Sequence, residues 1–166
     1  AQPAMRGRHA DPGDPKTFER CKLDWDERSS HSGIYEMHKD LLRLRREDPV
    51  LHAQKPRGVD GAVLGPEAFV LRYFGENGDD RLLLVNHGTD LCLDPAPEPL
   101  LAPPEGQLWE IAWSSEDPRY GGTGSGPVDG PGGWRVGGHA AFVMRPGSKR
   151  GNGRSDVGRS AASARA

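Results

Sequence analysis

Ala68-Phe69-Val70-Leu71-Arg72-Tyr73-Phe74-Gly75-Glu76-Asn77-Gly78-Asp79-Asp80-Arg81-Leu82-Leu83-Leu84-Val85-Asn86 carries the pattern that decides the fold. Successive side chains of an extended chain point to opposite sides. Phe69, Leu71 and Tyr73 therefore share one face of a strand over 68–74, and Val70, Arg72 and Phe74 share the other. Glu76 to Asp80 supplies turn chemistry around Asn77-Gly78. Arg81 to Asn86 returns as a near-continuous apolar run, the mark of a strand covered on both sides. The stretch predicts a β-hairpin whose second strand is central in its sheet.

The strand period continues on either side. Val59 to Leu64 is a short candidate upstream, and Leu91 to Leu93 is a third short strand stopped by Asp94-Pro95. Pro95 to Pro104 reads as a stiff loop, partly polyproline-like. Leu108 to Trp113 alternates again and places Trp109, Ile111 and Trp113 on one face. Gly121 to Gly133 is a long surface loop that contributes no core element. Trp134 to Val136 and His139 to Met144 close the ordered part as two strands.

Before the strands the period is helical. Ile34, Met37, Leu41 and Leu44 recur at three or four residues, widened by Tyr35, His38 and Leu42, after a capping serine at 30 or 32. Lys39, Arg43, Arg45 and Arg46 crowd the C-terminal half, where cations favour the helix dipole. Pro49 stops the helix at Glu47 or Asp48. The expected fold class is mainly β: an antiparallel β-sandwich of six to eight strands preceded by one amphipathic helix. Residues 1–52 are expected to form an irregular N-terminal segment plus the helix 32–47. Residues 53–146 then form an all-β domain, and 147–166 a disordered basic tail.

Composition agrees with a turn-rich β domain: 23 glycines and 15 prolines, 34% hydrophobic residues and a mean hydropathy of -0.71. At 166 residues the chain is too short for a (β/α)8 barrel of about 250 residues. A formal net charge of -2 exerts no strong pull on nucleic acid or membrane, and no apolar run approaches a membrane span. Cys21 and Cys92 lie far apart in unlike contexts and read as free thiols, which suits a reducing, cytoplasmic compartment.

Hydrolysis of a glycosidic bond needs two carboxylates facing each other across the substrate. Asp24, Asp26 and Glu27 cluster beside Trp25, and Glu116 and Asp117 lie beside Trp113 and Tyr120. Nothing in the spacing holds two of them at a working distance, so no catalytic residue is assigned. The glycines of 121–126 make no phosphate cradle, because Pro127, Gly130 and Pro131 forbid the helix such a loop opens. The six histidines show no metal-ligand spacing, and neither metal nor cofactor is expected. Trp25, Trp109, Trp113, Trp134 and Tyr120 are the candidate sugar or interdomain contacts, since large rings either pack in cores and interfaces or stack on sugars.

Two stretches narrow the reading further: Asp14-Pro15-Lys16-Thr17-Phe18-Glu19-Arg20-Cys21-Lys22-Leu23-Asp24-Trp25 and Trp113-Ser114-Ser115-Glu116-Asp117-Pro118-Arg119-Tyr120-Gly121-Gly122. Both resemble the C-terminal region of the maltooligosyltrehalose trehalohydrolase family, which is of the α-amylase type. The helix 32–47 and the following Arg-Glu-Asp-Pro-Val-Leu resemble the last barrel helix of that type and the entrance to its all-β C-terminal domain. The resemblance runs from about Asp11 to Pro146. It implies a parent enzyme that cleaves the α-1,4 bond next to the terminal trehalose unit of maltooligosyl trehalose, in the conversion of starch or glycogen to trehalose. It also implies that the catalytic carboxylates sit on a barrel absent from this chain. The missing barrel is the expected partner, braced by the sandwich and by Ile34, Met37, Leu41 and Leu44; an α-glucan is the other candidate ligand. The alternative function is a free-standing α-glucan-binding module using exposed tryptophans.

Overall fold

Strand Arg81–Asn86 sits in the middle of a five-stranded antiparallel sheet, where a near-continuous apolar run belongs. The computed structural model describes residues 11–148 apart from Pro56 and Pro131. The strands are β1 (Val59–Gly65), β2 (Ala68–Tyr73), β3 (Arg81–Asn86), β4 (Leu91–Leu93), β5 (Gln107–Ser114), β6 (Asp129–Gly130), β7 (Gly133–Val136) and β8 (Ala141–Ser148). The large sheet runs β1-β2-β3-β8-β5 and the small one β4-β7-β6, with every pairing antiparallel. The expected hairpin is present, its register pairing Tyr73 with Arg81 and Ala68 with Asn86. The mainly β, two-sheet architecture with a leading helix is thus the one the sequence pattern predicts.

The core lies between the sheets. Val70, Leu82, Leu84, Phe142 and Met144 point inward from the large sheet and meet Trp134, Val136, Leu91 and Leu93 from the small one. Arg72 sits in the same inward register as Val70, where an unpaired charge would be costly. Its guanidinium is matched instead: Asp80 Oδ2 lies 2.7 Å from Nη2, and Nη1 donates to the carbonyls of Leu100 and Ala102. Asn86, also buried, donates from Nδ2 to the carbonyls of Thr89, Val136 and Gly137 and accepts from Gly88 N–H. It thereby ties the end of β3 to the small sheet.

Among the described residues, four helices precede the strands: α1 (Pro15–Arg20), α2 (Glu27–Ser30), α3 (Ser32–Glu47) and α4 (Pro49–Ala53). α3 has the predicted bounds. Asp48 follows it in extended conformation and caps α4, accepting from Val50 N–H and Leu51 N–H, with Pro49 at the first helical position. The proline that ends one helix therefore starts another, because its fixed φ and missing N–H suit a first turn.

Several expectations are corrected. The N-terminal segment is not irregular throughout, since Asp14 caps α1 through Lys16 N–H. Gly121–Gly133 does enter the core: Val128 is buried in it, and β6 pairs with β7. The Pro-rich loop contributes Leu101, whose carbonyl accepts from the Trp109 indole N–H at 2.8 Å. Gly147 and Ser148 belong to β8; the remainder of the basic tail expected to be disordered lies outside the described residues.

Trp109 and Trp113 do not share a strand face. Ile111 pairs with Met144 and Trp113 with Val143, so two steps on β5 match one on β8. A bulge at this point shifts the side-chain phase by one residue. Trp109 faces the core and Trp113 the opposite side of the sheet.

Replacing Leu84, which is 1% exposed, by Ala is expected to cost about 2–5 kcal/mol. Val63→Ala, at a side chain 80% exposed, should change stability by no more than about 0.5 kcal/mol. Urea unfolding of both variants checks this contrast.

Candidate functional site

Trp113, projected from the outer face by the bulge, opens the segment that joins the sandwich to α3. Asp117 caps the short 3-10 turn Pro118–Tyr120 by accepting from Arg119 N–H, and its other oxygen binds the Arg119 guanidinium. Gly121 follows with φ +91, a left-handed conformation that favours glycine. A Cβ on Gly122 would collide with the Glu116 backbone. The turn presents Tyr120 to α3, where Gly33 lets the helix approach; a Cβ there would lie 2.9 Å from the Tyr120 carbonyl oxygen.

The junction centres on Asp40, which is 9% exposed on the stripe of α3 that also carries Met37, Leu41 and Leu44. Its Oδ2 accepts from the Tyr120 hydroxyl at 2.5 Å and from Arg119 Nη1 at 2.9 Å, while Arg43 Nη2 stands 2.8 Å from Oδ1. The Tyr120 hydrogen bond, backed by Arg43 and Arg119, holds the Asp40 carboxyl below the ordinary carboxylate range. Burial, reinforced by the bond to Asp40, pushes the Tyr120 phenol up. The Trp113 ring packs by Tyr120 with centroids 6.2 Å apart. Nearby, Arg81 bridges Asp48 and Asp79, with Nε 2.7 Å from Asp48 and Nη1 2.6 Å from Asp79. That second pair joins the α3–α4 corner to β3.

The side-chain contacts made within the expected carboxylate clusters are local. Asp24 accepts from Asp26 N–H, Asp117 is engaged as above, and Glu116 accepts from the Ser115 hydroxyl. Among the described residues, no group of three or more His, Cys, Asp and Glu could hold a metal ion, and no helix is long and apolar enough to cross a membrane. Cys21 and Cys92 are both free and exposed.

The five candidate rings separate. Trp109 and Trp134, 8% and 6% exposed, are core residues and offer no face to a sugar. Trp113 and Tyr120 are half-buried at the helix junction. Trp25 stands 74% exposed in an open cleft with Leu23, Ile34, Tyr35 and His38. The structure therefore joins Trp113 to Tyr120 and leaves Trp25 apart. Asp40, central to the junction, is absent from the sequence-based set. Its signal is a lone acid in register with an apolar stripe, a position that demands a partner elsewhere in the chain.

A helix packed through an ion cluster centred on the buried Asp40 onto a two-sheet sandwich defines a mainly β domain. The family model described as a domain of unknown function, DUF3459, matches residues 56–143, more than half of the chain, and the chain belongs to that family. It is 39% identical over 82 residues to a malto-oligosyltrehalose trehalohydrolase of Deinococcus radiodurans, covering 48% of this chain and 13% of that protein. It is 44% identical over 64 residues to the protein of that name from Arthrobacter ramosus, covering 34% and 11%. Identity reaches 54% over 43 residues with the one from Brevibacterium helvolum, covering 25% and 7%. The match thus spans 13% or less of these relatives, and the resemblance to the trehalohydrolase family is borne out. No solved structure matches.

The lowered Asp40 pKa makes its ionised form stabilising above the ordinary carboxylate value of about 4. That contribution is lost as pH falls through the lower folded-state value. Asp40→Asn should therefore lower stability at neutral pH and give a shallower acid loss than the wild type. Asp79 and Asp117, also held low, leave a residual slope. Thermal unfolding across acid and neutral pH reads the effect.

Proposed function

We propose that this chain is the non-catalytic C-terminal part of a trehalose-releasing glycoside hydrolase and braces that enzyme's catalytic barrel. The observation that carries the reading is the repeated match to malto-oligosyltrehalose trehalohydrolases over a small part of their length. The geometry supports it. Asp24 and Asp117 accept from nearby backbone N–H groups and Asp117 also binds the Arg119 guanidinium, whereas a glycosidase pair needs two carboxyls about 5–10 Å apart across an open cleft. The parent reaction on this reading is release of trehalose from maltooligosyl trehalose, in a cytoplasmic enzyme whose carboxylates lie on the barrel.

A second reading, an α-glucan-binding module, is favoured by one observation: the Trp25 ring is open to solvent. Titration of the purified chain with maltooligosaccharides and maltooligosyl trehalose separates the two. Tryptophan fluorescence and released trehalose are followed together. The expected outcome is neither saturable binding nor turnover, while a graft of this chain in place of the stretch it matches in the Deinococcus radiodurans enzyme retains trehalose release. Binding lost in Trp25→Ala would favour the glucan module; trehalose released by the chain alone would overturn both readings.

A further inference from the structure

A sheet that does not close leaves two edges, and a bare edge offers unpaired N–H and C=O groups to another strand. In the large sheet the edges are β1 and β5. β5 is shielded. A bulge between Ile111 and Trp113 interrupts its register, and the exposed Glu110 puts a charge on it. The segment after Gly121 returns beside its end, where Ser125 Oγ lies 2.7 Å from Ser114 Oγ and Gly124 N–H donates to the Glu116 carbonyl. β1 carries no Lys, Arg or Pro between Val59 and Gly65, and among the described residues no strand lies beyond it.

The register shows which groups of β1 face outward. Phe74 N–H donates to the Gly58 carbonyl, and Val59 pairs with Tyr73, Gly61 with Leu71 and Val63 with Phe69. In an antiparallel pair, residues bonded to the neighbouring strand alternate with residues whose N–H and C=O point away. Asp60 and Ala62 therefore bond to β2, while Val59, Gly61 and Val63 turn their backbone groups to the open side. Val59 and Val63 are 47% and 80% exposed, so this stretch is apolar as well as unpaired. It is also self-complementary. Two copies running antiparallel about a two-fold axis set Gly61 opposite Gly61, and each Val59 opposite Val63 of the other copy.

The middle of that stretch is closed by the chain itself. Asp60 Oδ1 accepts from Gly61 N–H at 2.8 Å. Asp60 stands opposite Arg72 in the register, yet Arg72 is turned to Asp80 and to the carbonyls of Leu100 and Ala102. The Asp60 carboxylate is left to the outward N–H at the centre of the edge. We propose that Asp60 is a built-in block against edge-to-edge pairing of β1 with a second copy of this chain. Its bond occupies the donor that the two-fold pairing needs. The same pairing would set the two Asp60 side chains on diagonal positions of one face, about 7–8 Å apart, where like charges repel. One side chain thus acts on both the hydrogen bonding and the charge of the interface.

The test is sedimentation velocity of the whole chain over a range of concentrations, with far-UV circular dichroism as the check on folding. Asp60 is exposed and has the Gly61 N–H as its partner among the described residues, so Asp60→Ala should keep the wild-type spectrum. Asp60→Ala should self-associate at least about tenfold more tightly than the wild type, the scale set by releasing a charge-assisted hydrogen bond on each copy. Glu105→Ala removes the same charge at another exposed position and should associate as the wild type does. Asp60→Asn keeps an oxygen for the Gly61 N–H and should gain less than Asp60→Ala. Association of Asp60→Ala no tighter than that of the wild type, or an equal gain in Glu105→Ala, overturns the proposal. Equal gains in Asp60→Asn and Asp60→Ala overturn the hydrogen bond as its basis.

Amide hydrogen exchange locates the contact. In dilute solution the Gly61 N–H should exchange faster in Asp60→Ala than in the wild type, because its acceptor is gone. At concentrations where the variant associates, the Gly61 and Val63 amides should become protected together. Association that leaves the Val63 amide unprotected overturns the proposal by placing the contact on another surface, such as the exposed Trp25 and Ile34. A wild-type chain that dimerises with its Val63 amide protected overturns it as well, because the edge would then be open with Asp60 in place.

Discussion

Asp40 lies on the inner stripe of α3, and taking a carboxylate out of water there is costly unless donors meet it. The Tyr120 hydroxyl and the Arg119 and Arg43 guanidinium groups meet it. Two of the three come from the turn after β5, so the position of α3 and the course of residues 114–122 are set together. Gly33 and Gly122 are the steric counterparts of this bond: the first removes a Cβ from the path of the Tyr120 carbonyl, the second from the Glu116 backbone. The Arg81 bridge to Asp48 and Asp79 holds the corner between α3 and α4 to the central strand in the same manner.

The Trp-Ser-Ser-Glu-Asp-Pro-Arg-Tyr-Gly-Gly stretch acquires a physical meaning from this junction. Several of its polar groups that might suggest catalysis have a structural duty. Asp117 caps a turn, Arg119 bridges two carboxylates, Tyr120 donates to Asp40, and Gly121 takes a left-handed conformation. Aromatic and acidic residues side by side resemble a sugar site in sequence and form a clasp in space. The two uses share the same residue types because both need an oriented hydrogen-bonding group on a rigid apolar backing.

Local pattern carried most of the architecture. The alternation of 68–74, the apolar run 81–86 and the helical spacing of 34–44 each depend only on residues near in sequence, and each element formed where its period placed it. The errors arose where a distant neighbour decides. Val128, flanked by glycines and prolines, is buried because the sandwich leaves a space beside Trp134 and Val136. Leu101 is drawn from a proline-rich loop by the core and by the Trp109 indole.

The amino-acid order alone determined the helix over 32–47, the hairpin of β2 and β3, and the central place of β3. Those properties follow from periodicity, turn chemistry and the dihedral limits of proline and glycine. Tertiary structure alone decided which apolar groups are inside. One bulge in β5 sends Trp109 to the core and Trp113 outward, and the docking of α3 covers Met37 and Leu41 while leaving Ile34 and Leu42 open. Burial depends on what lies across a gap in space, and no spacing along the chain encodes that distance.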